Sequence, residues 1–280
     1  MITPDNYKTK KYTLSHKEEK MGIRINAKIG GQKILIFDPE TSHEYSSYGI
    51  GNKPVFQKPG ETHADQYGLS LFIDGKLDPN SYQMKYKEMF DHFDKLIIDY
   101  CVENVDKFKS LFGITDKMKK EMIPEIIEGK MKSSFRPSDK AIKEKVTDPK
   151  LNLYLGIGQY GKDLTTGKFK PPTIEVFANK KFKCIQDDKE IRANEKLPWE
   201  YIYSKPEDGI RYWKISPTIT WEGAFINSTM IAPSYNCPRV RVCPDASNSM
   251  SKEELDFAKR MEKEQTIEDG IGGIDITTDK

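Results

Sequence analysis

The sequence has no Cys-x-x-Cys pair. Its four cysteines, Cys101, Cys184, Cys237 and Cys243, are scattered, and its histidines, His16, His43, His63 and His92, lie far apart. That spacing argues against a structural zinc site and leaves buried, reduced thiols as the expected state. No apolar run approaches the ~18 residues of a membrane span, and the first twenty residues are polar. No secretory signal is expected, and the protein is read as soluble and intracellular. A Ser nucleophile elbow, a His-Glu-x-x-His helix and a carboxylate cluster are also missing. Asp187, Asp188 and Glu190 stand together, but Lys189 and Arg192 interleave with them, which suits a turn better than a cation site. The chain is therefore read as non-enzymatic, with no cofactor and no metal.

What is present is charge and aromatic carbon. Thirteen Phe, fourteen Tyr and three Trp in 280 residues are too many for a disordered chain and enough for one sizeable core. The formal net charge of +2 is unevenly spread. From Lys252 to Lys280 there are five basic and nine acidic residues, so this tail carries −4 and the rest of the chain +6.

Residues 1–22 lack periodicity and read as a polar arm, with order beginning near Ile23. Arg24 to Ile29 and Lys33 to Phe37 are β-prone runs joined across Gly30-Gly31, a two-glycine hairpin signal. Asp38 to Tyr67, with three prolines, reads as a long surface loop, and Gly68 to Asp74 as a third strand. Apolar residues then recur every three or four positions from Tyr82 to Phe112, predicting one long amphipathic helix that supports a sheet. The lysine-rich stretch 130–150 reads as an exposed connector.

Beyond it, period two returns. Leu151 to Leu155 alternates, and in Tyr212 to Trp221 the residues Trp213, Ile215, Ile219 and Trp221 share one face, with Lys214, Ser216, Thr218 and Thr220 on the other. A turn is expected at Glu222-Gly223, and Arg239 to Val242 alternates again. Residues 251–280 carry a capping-box start at Ser251 and Glu254, predicting a short helix followed by a flexible acidic tail. The expected organisation is thus an arm (1–22), one domain (23–250) with a helical insertion at about 80–130, and the tail.

The stretch Gly156-Ile-Gly158-Gln-Tyr-Gly161-Lys162 follows a strand and fits a glycine-rich phosphate loop by spacing alone. Asp163 stands where such a loop needs Ser or Thr, and Leu164 to Pro172 cannot form the helix whose amino end would face a phosphate. What remains is an alternation of cations with rings. Lys162, Lys168, Lys170, Lys180, Lys181, Lys214, Arg239 and Arg241 are placed to follow phosphates, and Tyr154, Phe169, Phe182, Trp213 and Trp221 to stack on bases. Trp213 and Trp221 share their face with Ile215 and Ile219, so core packing and base stacking both stay open for them.

The order of elements, the stretch Trp213-Lys-Ile-Ser-Pro-Thr-Ile-Thr-Trp221-Glu-Gly-Ala-Phe-Ile, the run Arg239-Val-Arg-Val242 and the acidic tail together resemble one family. It is the virus-encoded single-stranded-DNA-binding proteins of large nucleocytoplasmic DNA viruses, which are similar to those of short-tailed bacteriophages. The resemblance covers about Ile23 to Pro244. It implies an α+β fold, an elaborated OB-like antiparallel β-barrel with the long helix packed on it. It further implies sequence-independent coating of unwound DNA in the host cytoplasm or a viral replication compartment, with the tail competing for the groove or recruiting replication proteins. The chain ends in Asp279-Lys280 rather than the aromatic residue that closes the phage tails, which removes the basis for a tail-swapped dimer. The other function class is a virion structural or scaffold protein that uses the same sheet as a protein interface.

Overall fold

Two sequence periods alternate along the chain, and each forms the element its spacing dictates. The computed structural model describes residues 1–37, 45–52, 67–159, 163, 165–167, 170–180, 185–186, 189–203 and 212–245. Within them lie β1 (Tyr12–Glu19), β2 (Gly22–Ile29), β3 (Gln32–Phe37), β4 (Tyr45–Asn52) and β5 (Tyr67–Ile73). After these come α1 (Tyr82–Glu103), α2 (Val105–Phe112), α3 (Ile123–Glu128), β6 (Arg136–Pro137), α4 (Asp139–Lys143) and β7 (Leu151–Leu155). The last group is β8 (Glu175–Ala178), β9 (Ile185–Gln186), β10 (Lys189–Glu190), β11 (Lys196–Leu197), β12 (Trp213–Ile226) and β13 (Ile231–Pro244). The protein is α+β, and its main sheet is a curled, mostly antiparallel half-barrel.

Strand β12 is the spine. One edge of it pairs in succession with β2, β3 and β4, while the other pairs along its length with β13. From β4 the sheet continues through β5 and β7 to β6. The end of β7 then meets β13, because Gly156 N–H donates to the Tyr235 carbonyl at 2.8 Å and Cys237 N–H to the Gly156 carbonyl at 2.6 Å. Strand β8 runs parallel to β13 and carries β11 on its far side.

Helix α1 crosses the concave side. Ser81 caps it, accepting from Met84 N–H at 3.1 Å. Its aromatic stripe meets the sheet ring by ring: Tyr86 on Tyr45 of β4, Phe90 on Tyr235 of β13, and Phe93 on Trp221 of β12. The single helix expected over Tyr82 to Phe112 is broken at Asn104. There both the backbone N–H and the side-chain amide donate to the Tyr100 carbonyl, at 3.0 and 2.9 Å, and end the first helix. Gly113, at φ 69°, closes the second.

Three boundaries differ from the sequence reading. Residues 1–22 are not a loose arm: Ile2 and Tyr7 are buried, and β1 pairs with β2 along its whole length. The cause is the alternation of Tyr12, Leu14 and His16 with polar neighbours, which lets one face pack on α1 and α2 while charges line the sheet edge. The expected 38–67 loop contains β4, which inserts between β12 and β5. Finally, the chain does not turn at Glu222-Gly223. Strand β12 continues through a bulge there, and the turn falls where Asn227 Oδ1 accepts from the N–H groups of Thr229 and Met230, at 2.9 and 3.0 Å. The expected tail lies outside the described residues.

Gly223 shows why the bulge holds. Its φ is 109°, and a Cβ there would stand 2.1 Å from the Ile25 carbonyl oxygen of β2. Gly223→Ala is expected to cost about 2 kcal/mol, read as a lower urea midpoint with an unchanged slope. A midpoint that does not move would mean that β12 and β2 do not approach this closely.

Candidate nucleic-acid interface

Pairing across strands sorts the side chains of the sheet into two faces. Trp213 and Ile215 of β12, Val240 and Val242 of β13, Val176 and Ala178 of β8, and Leu71 and Leu153 of β5 and β7 are all buried on the core side. The opposite face follows from the same registers. Thr218 pairs with Arg239 and Arg239 with Glu175, while Ser216 pairs with Arg241 and Arg241 with Phe177. A further row runs Lys214–Ser46–Phe72–Asn152–Arg136 across β12, β4, β5, β7 and β6.

That face carries the rings and cations the sequence reading sought, though with a different membership. Tyr154 is 51% exposed, and the Arg136 guanidinium stands 5.7 Å from its ring centre. Tyr48 is 38% exposed, with its ring 4.8 Å from Phe72 and 5.1 Å from Tyr212. Lys150 Nζ lies 4.7 Å from the centre of the Phe72 ring. Burial, followed by the neighbouring Tyr212, pushes the Tyr48 phenol above its ordinary value, so it stays neutral. Tyr48, Arg136 and Lys150 were not singled out from sequence, because residues 38–67 and 130–150 read as loop and connector. No period-two signal marks Tyr45-Ser-Ser-Tyr48, whose rings stand three positions apart and fall on opposite faces, Tyr45 in the core and Tyr48 exposed.

The two tryptophans are core. Trp221 is fully buried, lies stacked on Phe93 with ring centres 4.3 Å apart, and donates from Nε1 to the Gly223 carbonyl at 3.1 Å. Trp213 is 3% exposed and packs edge-on to Tyr201. Neither offers a ring face to a base, because the curled sheet turns their side of β12 inward.

The expected phosphate contacts divide by partner. Lys214 Nζ bonds Ser46 Oγ at 3.0 Å and approaches the buried Asp245 carboxylate at 3.4 Å. Its ammonium is thus paired with a buried carboxylate of the protein itself. Arg239 lies on the open face over Phe177 and donates from Nε and Nη2 to Glu175, at 3.1 and 2.7 Å, while Lys196 bonds the same carboxylate. Those two cations hold the Glu175 carboxyl below its usual range. So exposed a pair contributes little to stability and can exchange its carboxylate for a phosphate. Arg241 is half-buried beside it, and Lys170 and Lys180 are exposed. Lys162, Lys168, Phe169, Lys181 and Phe182 lie outside the described residues.

The glycine-rich stretch makes no phosphate cradle with its first two glycines. Gly156 N–H is spent on Tyr235 and Gly158 N–H on Asn236 Oδ1, at 2.8 and 3.0 Å. Among the described residues no three His, Cys, Asp or Glu side chains gather as a metal site, and no helix is long and apolar enough to cross a membrane. Compared with protein-family models and with curated proteins, the chain matches none.

Proposed function

We propose that the protein binds single-stranded DNA without sequence preference, on the outer face of the curled sheet, as a non-enzymatic coating protein of DNA replication, recombination or repair. The observation that carries this reading is the joint exposure of Tyr154 and Tyr48 on a face that also holds Arg136, Lys150, Arg239 and Arg241. Rings accept any base face and cations follow the backbone, so such a surface needs no edge readout. The reading of an OB-like barrel is supported by the path β12–β4–β5–β7, whose end returns to β13 through Gly156. In this reading the acidic segment from Lys252 onward recruits replication proteins or competes for the same face.

The test is a titration of labelled oligo-dT and of duplex of equal length at about 50 and 200 mM salt. Single strands should bind more tightly than duplex, and more weakly as salt rises. Tyr154→Ala combined with Tyr48→Ala should weaken binding about ten- to a hundredfold, with the salt slope retained. Because Trp213 and Trp221 are buried and Trp199 is half-buried, fluorescence anisotropy of the label is the informative readout rather than tryptophan quenching. Equal affinity for duplex, or binding indifferent to salt, would overturn the proposal, and the second result would point instead to a protein interface.

A further inference from the structure

Strands β8, β11 and β13 hold one carboxylate, Glu175, and three cations, Lys196, Arg239 and Arg241. Register brings them together: Arg239 pairs with Glu175 and Arg241 with Phe177 across β13 and β8, and Lys196 pairs with Phe177 across β11 and β8. Period two then turns these side chains to the open face, because their strand neighbours Val176, Ala178, Leu197, Val240 and Val242 are buried. The Arg239 guanidinium lies over the Phe177 ring, 5.3 Å from its centre, and donates from Nε and Nη2 to Glu175 Oε2 at 3.1 and 2.7 Å. Lys196 Nζ reaches the other oxygen, Oε1, at 3.2 Å. Donors from two cationic side chains thus converge on the two oxygens of one anion. A phosphodiester, with two non-bridging oxygens, accepts the same set of bonds.

From this geometry we infer that Glu175 stands, in the free protein, where a backbone phosphate of the bound strand sits, and that it must release Arg239 and Lys196 for the strand to bind. The inference rests on the reading of this face as a single-strand interface and adds to it a competitor carried by the face itself. The contact is able to open. The Arg239 side chain is 49% exposed and that of Glu175 37%, so water competes for each bond and the pair holds by about fivefold at most. Once displaced, Glu175 remains beside the phosphate as a like charge and lowers affinity further.

The experiment measures labelled oligo-dT by anisotropy with the full chain, at about 50 and 200 mM salt, for Glu175→Gln, Arg239→Ala and the two together. Glu18→Gln is the control. It makes the same charge change on an exposed residue of β1, which β2, β12 and β13 separate from β8. Glu175→Gln keeps the shape and removes the charge, and should tighten binding about three- to fivefold at the lower salt and less at the higher, against no more than about 1.5-fold for Glu18→Gln. In the Arg239→Ala background the same change should give less than half that gain, with thermal melts showing each variant folded. A gain no larger than the control's, weaker binding by Glu175→Gln, or a gain that Arg239→Ala leaves whole would each overturn the exchange while leaving single-strand binding in place. Failure of the unsubstituted protein to bind oligo-dT would overturn the interface itself, and the exchange with it.

Discussion

Trp221→Ala is expected to destabilise the protein by about 3–5 kcal/mol, among the largest effects a single substitution in this chain can have. The indole is fully buried, lies flat on Phe93 of α1, has Tyr12 edge-on, and donates to Gly223 at the β12 bulge. Truncation therefore empties a large volume in the seam that joins helix, edge strand and spine. The Gly223 carbonyl loses its indole donor as well. A urea titration followed by far-ultraviolet circular dichroism measures the loss. Tyr154→Ala is the contrast: its ring is half in solvent, so stability should change by no more than about 0.5 kcal/mol while the proposed single-strand binding falls. If the Trp221 variant kept full stability and lost binding instead, the indole would be a base platform and this side of the sheet would have to open to solvent.

That contrast also marks how far the sequence could be read. Period two along Trp213 to Trp221 identified which side chains share a face, and all four apolar members are buried together. It could not say whether that face was core or a stacking surface, because an aromatic residue on an apolar face suits both equally until the sheet's curl is known. The hairpin across Gly30-Gly31 was legible because turn chemistry is local, and Lys28 does pair with Lys33. Strand β4 was obscured by the prolines and glycines around it, and Tyr48 was hidden with it. Strand β1 was obscured by its own charges: Lys17, Glu18 and Glu19 look like a solvated arm but are the exposed edge of a paired strand. The charge pairs of the sheet lay beyond one dimension. The partner of Lys214 is 31 positions away in Asp245, and that of Arg239 is 64 positions away in Glu175.

The second large effect is a dependence of stability on pH that originates in Asp94. This carboxyl sits on the buried side of α1, accepts both the backbone N–H and the hydroxyl of Ser134, and is pushed up from 3.8 to about 7. Burial is the main cause. The hydrogen bonds from Ser134 oppose it, Asp91 adds to it, and Lys87, itself paired with Asp91 at 2.6 Å, opposes it weakly. From β13 the facing group is the Tyr235 phenol, which burial first and Asp94 next raise well above its ordinary value, so it stays neutral throughout. Because the folded state holds the Asp94 proton more tightly than the unfolded chain does, its contribution is fully present below about pH 4 and declines as pH rises. It is gone once pH has passed the folded value near 7. A shift of this size corresponds to on the order of 4 kcal/mol across that window. Asp94→Asn removes the titration while keeping an acceptor for Ser134, so the stability difference between variant and wild type should move in favour of the variant from pH 4 to pH 8 and then level off. Urea midpoints at half-unit steps of pH measure it. A difference that stays flat across the window would mean that the two Ser134 hydrogen bonds outweigh burial and that Asp94 is ionised in the folded protein throughout.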